Sequence, residues 1–235
     1  MICGEFPRVT PLNPAFIPGL PLLKLGLKIG PDPPCGGATA YIEALSGFLP
    51  SLSFHRCCGN NSVKESFFQR HLRRERAMEE HDDAVDLAHL VEHVMIDIQH
   101  FIARMRVCSG VTCARNSPRD RFDVFVECQE EIVARAAAGI ALDLVEDLLD
   151  GLRPDPRYLC LIQLAQLAHD HPGQPVNPRL RALETTWGRR LVREAVVGLR
   201  RRGFLSEIPV AFNFSGGALI GFHPRKSAPP VIVLT

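Results

Sequence analysis

The chain has 235 residues, 46% of them hydrophobic and 23% charged, which excludes a disordered chain and leaves room for one large domain or two small ones. Its net charge of +1 argues for neither nucleic acid nor membrane, yet it sums two opposed parts: residues 151–235 carry 12 basic and 5 acidic groups (+7), residues 1–150 carry 15 and 21 (−6). No apolar run approaches the ~18 residues that span a bilayer, and proline and polar residues fill the start where an export signal needs an apolar stretch, so a cytoplasmic location is expected.

Residues 1–37 are rich in Pro and Gly and hold one strand-like run at 22–29, where Leu23, Leu25 and Leu27 alternate with Lys24, Gly26 and Lys28. A short helix is expected over 39–48 and a charged amphipathic helix over 63–80. The clearest helix covers 86–105, with Leu87, Leu90, Val91, Val94, Met95, Ile98, Phe101, Ile102 and Met105 at i, i+3, i+4 spacing. A strand follows at 122–128, then a nearly apolar and therefore buried helix over 129–149. Gly151, Pro154 and Pro156 stop it and mark the best boundary. The rest reads as helices over 157–169, 178–186 and 188–202, then strands at 208–213 and 218–222 around Ser215, Gly216 and Gly217. That order suits a winged helix. The expected architecture is α+β: a small antiparallel sheet with packed helices in residues 1–150, then a small winged-helix-like domain in 151–235.

The sharpest motif is His89-Leu-Val-Glu-His93, an H-x-x-E-H on the best helix. Positions i and i+4 lie one turn apart on one face, so His89 and His93 can share a zinc ion. Zinc lowers the pKa of a coordinated water to about 7. Glu92, between the two histidines, is placed to take that proton and deliver it to a leaving amine. This is the inverted zincin arrangement.

At 100° per residue, His89, His93 and His100 fall together on the face opposite the apolar seam. That face is either a solvated polar surface or a metal site, the second provided that another element covers it. A catalytic zinc needs a third ligand. Glu131 is the first candidate and Glu127 the second, with Glu130 also near. Glu131 also stands i, i+4 from Arg135 at a helix start, where a negative charge suits the helix dipole without any function. Three carboxylates turned away from the histidines would favour a non-catalytic module. The eight cysteines form no Cys-x-x-Cys and read as free thiols. The run from His55 to Cys58 has metal-ligand residue types, but a buried pair of small thiols is the simpler reading.

Around the motif the chain resembles the N-terminal domain of cyanophycin synthetase. The resemblance is carried by Leu49-Pro-Ser-Leu52 with His55 and Cys57, by residues 88–94 with Gln99 and Met105, and by residues 122–127 with Glu131, Ala134, Arg135, Ala137 and Gly139. It covers residues 40–151. It implies an α+β module that engages an arginine–aspartate polymer, and in some members a metallopeptidase-like site with His89 and His93 as ligands and Glu92 as base. Where the family has a Gly-Arg-Thr turn, this chain has Gly110-Val111-Thr112, with Arg115 as a possible replacement for the arginine. The Arg/Glu-rich stretch at 70–83 is longer than the family's link. Nothing in the sequence matches the synthetase's ATP-grasp or Mur-ligase parts.

Residues 188–203 form a basic helix ahead of the expected hairpin, the order of a groove-entering helix. The opposed charges favour instead docking on the acidic part or on a protein partner. Arginine outnumbers lysine 23 to 4 along the whole chain, which weakens the nucleic-acid reading. Two functions are thus expected of the chain. One is a zinc-dependent, peptidase-like hydrolase acting on a polypeptide such as cyanophycin. The other is a non-catalytic binding or regulatory module with a vestigial site and a basic tail that contacts protein or DNA.

Overall fold

The computed structural model describes residues 1–30, 37–57, 61–62, 65–66, 83–105, 107–118, 120–174, 176, 179–207 and 220–221. Its elements are β1 (Ile2–Gly4), β2 (Leu22–Lys28), α1 (Gly37–Phe48), β3 (Arg56–Cys57), β4 (Asn61–Ser62), α2 (Asp83–Ala103), β5 (Gly110–Ala114), β6 (Arg121–Glu127), α3 (Glu131–Leu149), α4 (Pro156–His169), α5 (Leu180–Arg201), β7 (Ser206–Glu207) and β8 (Ile220–Gly221).

The alternation in residues 22–28 makes β2 a half-buried strand. It pairs along its whole length with antiparallel β6, from Leu22 opposite Glu127 to Lys28 opposite Arg121. β1 adds to the free edge of β2 and β5 to that of β6, giving an antiparallel sheet in the order β1–β2–β6–β5. Side chains alternate across it. Leu23, Leu25, Leu27, Phe122, Val124 and Val126 turn to the helices and are buried. On the other face Leu22, Phe125 and Phe16 form a small cluster under Phe6 and Val9.

α2 lies at the centre of the helical layer, against α1, α3, α4, β5 and β6. It buries Leu87, Leu90, Val91, Val94, Met95, Ile96, Ile98 and Ile102, more than one stripe of the helix, as a helix enclosed on several sides requires. Beside it, α3 presents buried Ala134, Ala137, Ala138 and Ala141, small side chains that allow helices to approach closely. α3 ends at Asp150, and Gly151 takes φ 75°, the left-handed region in which a glycine is not strained. α4 then starts with Pro156 in its first turn and the Asp155 carboxylate accepting from the Arg157 N–H at 2.8 Å.

One continuous apolar core runs from Leu23 of the sheet to Leu205 beyond α5. Among the described residues, arginines after 150 meet carboxylates before it at two places, Arg157 on Asp147 at 2.6 Å and Arg202 on Asp143. The three-residue edge strand β1 was not expected from the sequence, being too short to show a period. The helices expected at 178–186 and 188–202 are joined as α5, with Gly188 non-helical between them (φ 81°, ψ 151°). The helix expected over 63–80 falls almost wholly outside the described residues. So do the strands expected at 208–213 and 218–222, apart from Ile220 and Gly221, which pair with Ser206 and Glu207. Among the described residues no helix is long and apolar enough to cross a membrane.

Candidate metal centre

α2 carries His89, His93, Asp97 and His100 along one side, because steps of four and then three residues return to nearly the same angle. The segment facing them begins as the 3-10 turn Pro50–Phe54, pinned by fully buried Leu52. The chain then extends, with His55 at φ −60° and ψ 136°, into β3. In extended chain, residues two apart point the same way. His55 and Cys57 therefore both turn toward α2, while Arg56 is exposed.

Cys57 Sγ lies 3.5 Å from His89 Nε2, and His89 Nε2 lies 3.1 Å from His93 Nε2. The three ligand atoms all fall within 4.8 Å of one another, a group that can hold a metal ion. Tetrahedral zinc, with Zn–N of about 2.0–2.1 Å and Zn–S of about 2.3 Å, sets nitrogen–nitrogen edges near ~3.3 Å and nitrogen–sulfur edges near ~3.5 Å. The two measured edges match those values, and two imidazoles with a thiolate are a donor set that divalent zinc accepts. Cys57 and His93 are each 4% exposed, and His89 is half-buried.

Next along the helix, His55 Nε2 sits 3.0 Å from Asp97 Oδ1, and Asp97 is 1% exposed. The His55 ring lies 5.9 Å from that of His93 and 6.0 Å from that of His100, between centroids. Burial lowers the pKa of His100 below the usual histidine value. The nearby His55 adds to this, while a hydrogen bond with the Met105 backbone and the charge of Asp97 work against it.

Glu92 occupies the side of α2 that passes under β5. It is 4% exposed, and its Oε2 accepts a 2.6 Å hydrogen bond from the Thr112 hydroxyl. The fit at Gly110 is close: a Cβ there would lie 2.8 Å from Glu92 Cγ. Val111, between these two residues, turns instead to the outer cluster of the sheet. Arg115 is also away from the site, bound to Asp123 at 2.7 Å. Cys108 is nearby, but burial, then the charges of Glu127 and Glu92, push its pKa up and keep the thiol protonated.

The structure thus brings His89 and His93 together, with Glu92 beside them in the chain. The covering element that the histidine face requires is present as the 50–57 segment, so the solvated-surface reading of that face does not hold. The carboxylates expected as third ligand are engaged elsewhere. Glu131 holds Arg135 at 2.6 Å and is half-exposed at the start of α3, the charge-compensating role. Glu127 accepts from the N–H groups of Ile17 at 2.5 Å and Ser109 at 2.7 Å. Glu130 meets His169 at 2.8 Å. The third residue of the group that can hold a metal ion is Cys57, which the sequence reading assigned to a buried thiol pair. Its partner in that reading, Cys58, lies outside the described residues.

No curated protein matches the chain. The family model of the cyanophycin synthase-like N-terminal domain matches residues 25–150, from β2 through the Cys57, His89 and His93 cluster to the end of α3, and the chain belongs to that family.

Proposed function

We propose that this chain is a zinc-dependent, peptidase-like hydrolase acting on an arginine/aspartate-rich polypeptide such as cyanophycin. One observation carries the reading: Cys57, His89 and His93 bring their ligand atoms within 4.8 Å of one another, two of the three edges matching a zinc tetrahedron, and the buried Glu92 adjoins His93 in the chain. These three residues hold the ion. Bound zinc supplies Lewis acidity toward a carbonyl and toward water. Glu92 acts as general base and then as general acid, taking a proton on its carboxylate and passing it to the leaving amine. The Thr112 hydroxyl donates to that carboxylate at 2.6 Å. A His/Cys ligand set with a non-ligand glutamate as acid–base group is the arrangement of the zinc deaminases, so a thiolate as third ligand is compatible with hydrolytic chemistry.

The test is elemental analysis of the purified chain together with the chain length of added polymer. Glu92→Gln is expected to keep about one zinc per chain and lose cleavage, whereas His93→Ala loses both. Metal-free protein that refuses added zinc would overturn the proposal.

The alternative, a non-catalytic binding module, is favoured by one specific observation: Glu127, Glu130 and Glu131 all have other partners. It expects zinc bound by the wild-type chain with no cleavage at all.

A further inference from the structure

Gly188 divides α5, and the Trp187 indole just before it donates to Gln163 Oε1 of α4 at 2.8 Å. Beyond the break, residues 189–201 form a helix about 18 Å long. Val192, Ala195 and Leu199 are its buried side. Arg189, Arg190, Arg193, Arg200 and Arg201 are all exposed and fall within an arc of about 120°. The contacts that join this part of the chain to the acidic part use other arginines, Arg157 and Arg202. Among the described residues two glutamates approach the arc, Glu184 at 3.6 Å from Arg189 and Glu194 at 3.8 Å from Arg190, and Arg200 has a contact of its own. Both distances are long, and surface pairs of this kind hold little.

We propose that this arginine face binds the phosphodiester backbone of duplex DNA. Arginine forks suit phosphate oxygens. A protein partner would call for an apolar centre ringed by polar groups, yet Val197, 47% exposed, is alone among the five arginines. The charges instead stand in two groups, Arg189, Arg190 and Arg193 near the start of the helix and Arg200 and Arg201 at its end, and a phosphodiester polymer carries charge that both groups can meet. The β7–β8 ladder directly after the helix adds a second element on that side of the chain order.

The full chain is titrated against a fluorescein-labelled 20-base-pair duplex by fluorescence polarisation across a salt series, with polyglutamate as competitor. Binding is expected to weaken with salt at a log–log slope of about −4, at roughly −0.9 per phosphate contact. Arg193→Glu with Arg201→Glu lowers affinity at least tenfold and flattens the slope by about 2, with zinc content and circular dichroism unchanged. No binding at low salt, or equal binding by the double variant, would overturn the proposal. Binding of polyglutamate in preference to DNA would also overturn it and assign the face to an acidic protein. Neither result bears on the metal centre, which the zinc measurement reads separately.

Discussion

Two buried carboxylates lie against the first half of β5, and they are held in different ways. Glu127, at the end of the sheet, is fully buried and receives two backbone N–H groups, those of Ile17 and Ser109. Those donors staple the 15–17 stretch and the β5 entry to β6. Glu92, on α2, receives a side-chain hydroxyl from Thr112 and lies between two histidines in sequence. Backbone donors are fixed by the fold, so Glu127 is committed to structure. A hydroxyl donor can rotate, so Glu92 keeps an acceptor that can change partners. On the proposed function, the difference separates a polar group buried for stability from one buried for chemistry, and four variants probe it.

The largest effect is expected at the cluster itself. His93→Ala removes one of three donors, and zinc content falls from about one per chain to near zero, read by elemental analysis. The metal-loaded wild type gains about 2.7 kcal/mol of stability at a free zinc level 100 times the Kd, a gain that the variant lacks. Equal zinc in both proteins would remove His93 from the ligand set.

At the sheet end, Glu127→Ala leaves two inward N–H groups without their acceptor. A hydrogen bond to a charged group is worth about 1.5–3 kcal/mol, so a loss of about 3 kcal/mol is expected in urea unfolding, with zinc content preserved in the folded fraction. A loss of zinc without a loss of stability would place Glu127 in the site after all.

Much of this was legible in residue order, and what was not has a physical reason. The 3.6-residue period placed α2, and H-x-x-E-H placed His89, Glu92 and His93 on it, because all three are local to one helix. Cys57 is 32 residues from His89, and helical spacing carries no information on which distant segment folds over a face. Glu131 and Glu127 were attractive because they follow the helix in the chain, yet Glu131 pairs with Arg135 one turn on and Glu127 accepts from the backbone of Ile17 and Ser109. The all-round burial of α2 was hidden for the same reason: its polar side could be a solvated surface or a metal site until Leu52 brought the 50–57 segment over it. In the tail, Gly188 divides the helix at the position where the sequence placed the break.

Gly110→Ala is the third probe and acts on Glu92 without touching it chemically. The added methyl meets Glu92 Cγ at 2.8 Å, so the carboxylate must shift from Thr112. Where Glu92 is the acid–base group, a contribution of about 10²–10⁴-fold is partly lost, and polymer cleavage is expected to fall about tenfold or more with zinc retained. Unchanged cleavage would make Glu92 a packing residue like Glu127.

The smallest expected effect is a pH dependence, and it sharpens the comparison from the histidine side. Burial lowers the pKa of His100 in the folded chain below its value of 6.5 in free solution. As pH falls past 6.5, the unfolded chain binds a proton at His100 before the folded chain does, so stability declines with acidification and is intact above 6.5. The slope from one such group is at most about 1.4 kcal/mol per pH unit. His100→Gln removes the titration while keeping a polar side chain of similar reach, so its unfolding midpoint should change less between pH 7.5 and about 5.5 than that of the wild type. The two proteins differ at this one residue, so the difference between the two curves isolates His100. Parallel curves would mean that the histidine side of α2 is well solvated, and the distinction between the two sides of the helix would narrow to Glu92 alone.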